Sequence, residues 1–369
     1  SIVRDIENMP RGLLFWRSFT HWIGGMGILV FTISLVPSIG GRPLFLMKAE
    51  SPGPSPGKLV PKITESSKIL YIIYTIMTII VIVLLIIAGM PVFNSFIYAF
   101  GTAGTGGFSM DALSVGAYNN PLIDWIITIG MFLFGINFTL YFLLIRGDWK
   151  AFIKNEEFKL YLFYVVAAIF LICINVLPHF NYDISEALRH TSFTVSTLVT
   201  TTGYATSDFN LWPMFSKSIL LALMFFGACA GSTAGGVKSI RILILFKYMF
   251  YEIRHTIHPN SIQTIKVDGK SLDDNTLKSI MIFFFIYVVT IVFSVIIVSF
   301  DNFDFMTTFS SVMATISNIG PGFEVVGPLG NFADFSNLSK ITMIMCMILG
   351  RLEIIPVLIL FSPSIWRKN

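Results

Sequence analysis

The chain has 369 residues, of which 54% are hydrophobic and only 12% charged, with a mean hydropathy of +0.77. A soluble domain carries about a quarter charged residues, so this composition excludes a water-exposed enzyme and a disordered chain and describes an all-α, polytopic membrane protein. The net charge of +4 is too small and too dispersed to signal nucleic-acid binding.

Residues 1–36, apolar from 12 onward, read as the closing helix of a first, incomplete repeat. Residues 37–68 form a loop carrying Arg42, Lys48, Lys58, Lys62 and Lys68, with an irregular Pro/Gly/Ser string at 51–57. A second repeat spans 69–145: a charge-free run at 69–88, a short apolar stretch at 93–100, a Gly/Thr cluster at 101–109, then a run at 125–145. A basic loop follows at 146–159. The third repeat, 160–257, has the same order, with runs at 160–177 and 184–198, a cluster at 199–206 and a second helix interrupted by glycines at 227–236. After a loop at 258–276, the fourth repeat fills 277–369, with runs at 279–300 and 303–316 and a cluster at 317–323. The long runs are near the roughly 17–25 residues that cross a bilayer.

Lys and Arg concentrate in the loops named and are nearly absent from the intervening segments, where Arg189 stands alone between 178 and 212. The positive-inside rule therefore puts the basic loops in the cytoplasm. The bare external segments are too long for turns and too apolar for free loops. Non-helical backbone at membrane depth requires burial in protein or a wet cavity, so these segments read as re-entrant. Setting Gly106, Gly203 and Gly320 in register aligns the three clusters. All units begin and end inside, which makes them parallel repeats about an axis along the membrane normal.

Glycine permits backbone with positive φ, so that successive carbonyls can face one axis, and rings of carbonyls replace the water shell of a monovalent cation. The candidate ion path is Thr102, Ala103, Gly104, Thr105, Gly106 and Gly107; Thr200, Thr201, Thr202, Gly203 and Tyr204; and Ser317, Asn318, Ile319, Gly320 and Pro321. No carboxylate sits beside the glycines of the second and third repeats, which disfavours a divalent-cation ring; Glu324, four residues after Gly320, is the nearest acid. The bland alternative is that such runs are helix-packing faces, but three in register after a short helix argue against it. The candidate gate is Gly231, Ser232, Thr233, Ala234, Gly235 and Gly236, where glycines costing about 1 kcal/mol each in a helix interior favour unwinding. GxxxG-like packing at 227–231 and 231–235 is the competing account. Arg351, between apolar runs, is expected to face the pore and bond carbonyls freed in that loop. The alternative is a structural pair with Glu353.

These residues also carry a resemblance. The stretch Phe15-Trp-Arg-Ser-Phe-Thr-His-Trp-Ile-Gly-Gly-Met-Gly27, the clusters at 102–109, 200–206 and 317–323, Gly231-Ser-Thr-Ala-Gly-Gly-Val-Lys238 and Gly350-Arg-Leu-Glu353 together resemble the TrkH-type membrane subunit of the bacterial Trk/Ktr potassium-uptake family. The resemblance implies four filter loops with potassium as substrate, a flexible intramembrane gating loop at 231–236, a homodimer with one pore per protomer, a TrkA-like cytosolic nucleotide-binding ring as partner, and a place in the bacterial inner membrane. The family's first filter would precede Ser1, so the chain reads as amino-terminally incomplete.

Other features point elsewhere only weakly. Cys173, Cys229 and Cys346 lack metal or disulfide spacing, no cofactor is expected, and His255 with His258 form HxxH rather than a zinc-protease motif. His21 beside Trp22 reads as a packed or interfacial histidine. Lys217 and Lys340 read as snorkelling near external helix ends. Two rivals stand beside potassium uptake: a sodium-selective or sodium-coupled relative of the same architecture, and an intramembrane enzyme using Ser232 or His21.

Overall fold

The structure, a computed structural model, describes residues 2–3, 6–27, 63–259 and 264–352. Among the described residues the regular elements are helices and one small hairpin. The elements are α1 (Arg11–Gly25), α2 (Ile63–Ile87), α3 (Val92–Ala103), α4 (Pro121–Phe134), α5 (Phe138–Ile145), α6 (Trp149–Lys154), α7 (Glu156–Val176), α8 (Ile184–Val199), α9 (Met214–Leu223), α10 (Ser239–Ile257), β1 (Lys266–Val267), β2 (Lys270–Ser271), α11 (Asp274–Val298), α12 (Phe305–Ile316) and α13 (Asn337–Arg351).

Among the described residues, three helices are long and apolar enough to cross a bilayer: Ser67–Ile87, Glu156–Phe180 and Asp274–Asp301. Each is followed by a short helix (α3, α8, α12), a non-helical turn and a further helix. The long helices are only partly buried. In α2, Tyr74 and Leu85 are fully buried, while Ile72, Ile76, Ile79 and Ile80 are exposed. An apolar face left open in this way is what lipid covers, since tails solvate leucine and isoleucine as well as protein does.

The short helices invert that pattern. Nearly all of α8 from His190 to Val199 is buried, and so is α12 from Ser310 to Ile316. Both are rich in Ser and Thr, which survive burial by bonding back to their own helix: the hydroxyls of Thr102, Thr200 and Thr315 donate to the carbonyls of Tyr98, Ser196 and Ser311 at 2.8, 2.7 and 2.9 Å. No external partner is needed for such hydroxyls. The polar helices thus form the centre and the apolar ones the wall.

Four expectations change. The run at 125–145 is not one straight span: α4 and α5 meet at a 91° bend. Asn137 makes the corner by capping α5, its Oδ1 accepting from Thr139 N at 2.9 Å. Helix α1 ends at Gly25, and the remainder of the 12–36 run lies outside the described residues from 28 on. Lys238 and Arg241, two basic residues at the start of α10, are buried; the Arg241 guanidinium stacks over the Phe283 ring, 4.0 Å from its centroid. The all-α expectation also omitted the hairpin, whose Asp268-Gly269 turn has φ of 47° and 77°, as tight hairpin turns require.

Candidate functional site: three turns and an intramembrane loop

The C-termini of α3, α8 and α12 end in the same backbone motif. At the first position, Gly104, Thr200 and Ser317 remain in the right-handed helical region. At the next, Thr105, Thr201 and Asn318 take φ of 51°, 56° and 57°. The third residue then reaches back five positions: Gly106 N to Gly101 O at 2.8 Å, Thr202 N to Thr197 O at 2.9 Å, and Ile319 N to Ala314 O at 2.8 Å. This is a Schellman-type helix end, whose left-handed position is ordinarily glycine. A β-branched threonine there is strained, a cost found where function over-determines geometry.

The fourth position is Gly107, Gly203 and Gly320, with φ of 61°, 86° and 107°. The equivalent of Gly203 and Gly320 is therefore Gly107, one residue later than the Gly106 register read from sequence. The run Gly104-Thr-Gly-Gly107 allows either alignment by composition; the hydrogen bonds allow one.

Adjacent turns touch. A Cβ on Gly107 would lie 1.8 Å from Thr202 O, and one on Gly203 would lie 2.3 Å from Ile319 O. Gly320 meets nothing within 4 Å, so the three described turns form an arc. Thr102 and Ala103 lie in the last turn of α3 rather than in extended backbone. Tyr204 turns away from the arc and is fully buried, its hydroxyl donating to Tyr98 O at 3.2 Å. Gly101 makes room for that ring. Pro321 packs beside Gly203. His21 packs behind the first turn, where a Cβ on Gly106 would fall 2.3 Å from its Nδ1, and its ring meets Phe108 edge-on at 5.0 Å. Helix carbonyl ends carry partial negative charge, about half an elementary charge each, and three such ends converge here. That suits a cation.

Behind the arc lies an unwound stretch between α9 and α10. Its two limbs bond to each other, Gly227 N to Val237 O at 2.7 Å and Ser239 N to Ala228 O at 3.1 Å. Gly231 and Gly236, with φ of 69° and 67°, bracket the tip. That tip touches several units at once. Thr233 O accepts from Thr105 Oγ1 at 2.9 Å and from an Arg351 guanidinium nitrogen at 3.2 Å. Gly235 N donates to Thr201 Oγ1 at 2.6 Å, and the buried Lys238 ammonium donates to Ala234 O. Ser232 Oγ donates to Cys229 O at 2.6 Å. Arg351 is the last residue of α13 and reaches Gly24 O of α1 at 3.0 Å as well; Glu353 lies outside the described residues.

The bend between α4 and α5 belongs to the same assembly. Gly135 O accepts from Cys229 N, and Phe138 N donates to Gly231 O, each at 3.0 Å. Sequence reading missed Asn137, Glu157 and Tyr164, all of which serve this loop. Glu157 is the carboxylate adjoining the 160–177 run that points inward; its burial, 4% exposed, separates it from the half-buried Glu156.

On the external side, Lys217 lies 3.5 Å from Glu324 and Lys340 donates to Ala333 O at 2.7 Å. Both are therefore engaged rather than simply extended. Arg189 faces Asp124 at 3.6 Å. His190 stacks on Phe180 and bonds Thr206 Oγ1 at 2.9 Å. Burial, and secondly the Arg189 charge, push its pKa down to about 4. Glu186 is 3.8 Å from its ring but largely exposed, and does not reverse this. Among the described residues, no cluster of three or more His, Cys, Asp or Glu could hold a metal.

The arrangement has relatives. A family model described as TrkH, cation transport protein, matches residues 1–368. The "Trk system potassium uptake protein TrkG" of Escherichia coli (strain K12) is 36% identical over 370 residues, covering all of this chain and 76% of that protein. The "Trk system potassium uptake protein TrkH" of Salmonella typhimurium is 36% identical, covering 98% of this chain and 75% of that protein. The crystal structure of the potassium transporter TrkH from Vibrio parahaemolyticus superposes with a TM-score of 0.86 at 32% identity, over all of this chain and 76% of that one.

Proposed function

The chain belongs to the TrkH family of cation transport proteins, and we propose that it carries potassium into the cell through a filter built from the three turns. It is a helical membrane protein and a transporter rather than an enzyme. The filter carbonyls and hydroxyls belong to residues 102–107, 200–204 and 317–321, and a fourth segment of the same kind completes the ring. The units are 1–36, 69–145, 160–257 and 277–369, joined by cytoplasmic loops at 37–68, 146–159 and 258–276. The single observation that carries the reading is the triple recurrence of one strained helix end, with its positive-φ glycine, at the tips of three buried re-entrant helices. Stacked carbonyls with converging helix ends replace the hydration of a monovalent cation.

Residues 231–236 and Arg351 form the gate on this reading. The guanidinium places a fixed positive charge below the filter and holds Thr233 O, so the same contact blocks the ion path electrostatically and fastens the loop across it. From the resemblance we carry over a homodimer with one pore in each protomer, a TrkA-like cytosolic ring that controls opening, and the bacterial inner membrane as location. The relatives' names place them in a multi-component Trk system.

The test is rubidium and sodium uptake into proteoliposomes containing the full-length protein. Rubidium uptake that potassium blocks and sodium does not supports the filter. Uptake of sodium alone moves the protein to the sodium-selective alternative. No flux of either ion, with the cytosolic ring supplied, overturns the reading.

A further inference from the structure

The intramembrane loop is fastened in two places with different chemistry. Its tip is held by Thr105, Thr201 and Arg351, each from a different unit. Its roots are held by the α4–α5 corner, at Cys229 N and Gly231 O, and by α7 at two levels. Near the top, the hydroxyls of Tyr164 and Ser239 lie within hydrogen-bond reach of Gly227 O, at 2.7 and 2.8 Å, and 2.8 Å from each other. Two helical turns earlier, Oε1 of Glu157 accepts from Ala230 N at 2.6 Å and from Ile240 N at 3.0 Å. Those two amides lie on opposite limbs, one entering the loop and one leaving it in α10. One buried oxygen therefore ties both limbs together.

The start of α7 is itself held. Asn155 caps it, accepting from Phe158 N at 2.8 Å. Asp268, at the turn of the cytoplasmic hairpin, accepts from Glu156 N at 2.9 Å and from Asn155 Nδ2 at 2.7 Å. Lys247 of α10 reaches Glu156 and also Lys266 O of the hairpin. Glu157 thus projects from a helix end that is locked from three sides.

We propose that Glu157 is a positioning residue for the gate: its carboxylate pins both roots of the intramembrane loop, so that opening moves only the tip between Gly231 and Gly236. The inference rests on the reading of this loop as the gate. Positive φ at Gly231 and Gly236 makes them the natural hinges, since glycine changes φ at no steric cost. One oxygen that accepts from amides on both limbs lets neither limb move without losing a bond, which suits a fixed root. The tip is held by separate single bonds from Thr105, Thr201, Arg351 and Lys238, which suits a part that releases.

The test compares Glu157→Ala with Glu157→Gln in the full chain, reading rubidium flux without the cytosolic ring, rubidium-over-sodium preference, and amide exchange of residues 227–240. Loss of Oε1 frees two amides, so Glu157→Ala is expected to raise exchange and to raise flux about tenfold, the scale of one hydrogen bond, with the ion preference retained. Glu157→Gln keeps an oxygen acceptor in place and is expected to restore both readouts. Wild-type exchange and flux in Glu157→Ala, with raised flux in Arg351→Ala, overturns the pinning role while leaving the gate intact. Raised exchange with no change of flux in either variant overturns the gate reading and the inference with it. Equal effects of Glu157→Ala and Glu157→Gln also overturn it. If Glu157→Ala does not assemble, Tyr164→Phe decides: raised exchange and flux support root pinning by α7, and wild-type values overturn it.

Discussion

The three helix-end turns and the intramembrane loop are both glycine-rich, non-helical and buried, yet they are held in opposite ways. Each turn is closed by its own helix, through the bond from the third residue back five positions. The loop has few bonds of that kind and depends on Glu157, Tyr164, Thr105, Thr201, Arg351 and the α4–α5 corner. Self-contained backbone keeps its shape when neighbours shift, and an ion filter needs fixed oxygens. Backbone held by other elements takes a second arrangement when those contacts are exchanged, as a gate must. On the proposed reading, local closure serves selectivity and borrowed closure serves opening.

The largest effect should come from the turns. Gly203→Ser puts a Cβ 2.3 Å from Ile319 O at a φ of 86°. Rubidium-over-sodium preference should fall by roughly tenfold or more, about 1.4 kcal/mol of lost discrimination. Unchanged preference in competitive uptake would remove Gly203 from the filter. Arg351→Ala should act on the loop and on its tie to α1: it deletes carbonyl contacts to Thr233 and Gly24, so flux should rise about tenfold with preference retained. Equal flux in a well-folded variant returns Arg351 to a structural role.

A smaller effect is expected at the corner. Asn137→Ala removes the α5 cap, worth about 1 kcal/mol, and thermal unfolding in detergent should shift downward while ion preference holds. A shift in preference instead would mean that the loop and the turns are not separately held. The smallest effect concerns pH. His190 is buried in the neutral form with its pKa down at about 4, against the ordinary value of about 6.5. Because the unfolded state takes up the proton first, stability should decline as pH falls from about 6.5 toward 4 and be unaffected above that range. His190→Gln should flatten the decline in a pH series of unfolding temperatures.

Much of this was legible in the sequence. Charge-free runs, bare external segments and recurring Gly/Thr clusters gave the class, the re-entrant segments and the interruption before α10, because bilayer thickness and backbone satisfaction constrain composition directly. The one-residue register of the first turn was not legible: Gly104, Gly106 and Gly107 are equivalent by residue type, and only the bond from Gly106 N to Gly101 O separates them. The bend at 135–137 was hidden because an apolar run looks the same whether straight or broken. Its cause lies in another unit, where Cys229 N and Gly231 O supply the partners that its freed backbone requires.

Sequence by itself determined a polytopic helical membrane protein with repeated re-entrant units, since low charge and span length depend on the solvent and on nothing else in the chain. It also located the three glycine-bearing turns and the unwound stretch before α10, because glycine marks positions where backbone must turn. Tertiary structure alone decided which glycine aligns with which, that Tyr204 packs inward, and that Glu157 rather than Glu156 meets the loop. Those outcomes depend on contacts between residues far apart in the chain, as between Glu157 and Ile240, and no local pattern encodes which distant amide a buried carboxylate will find.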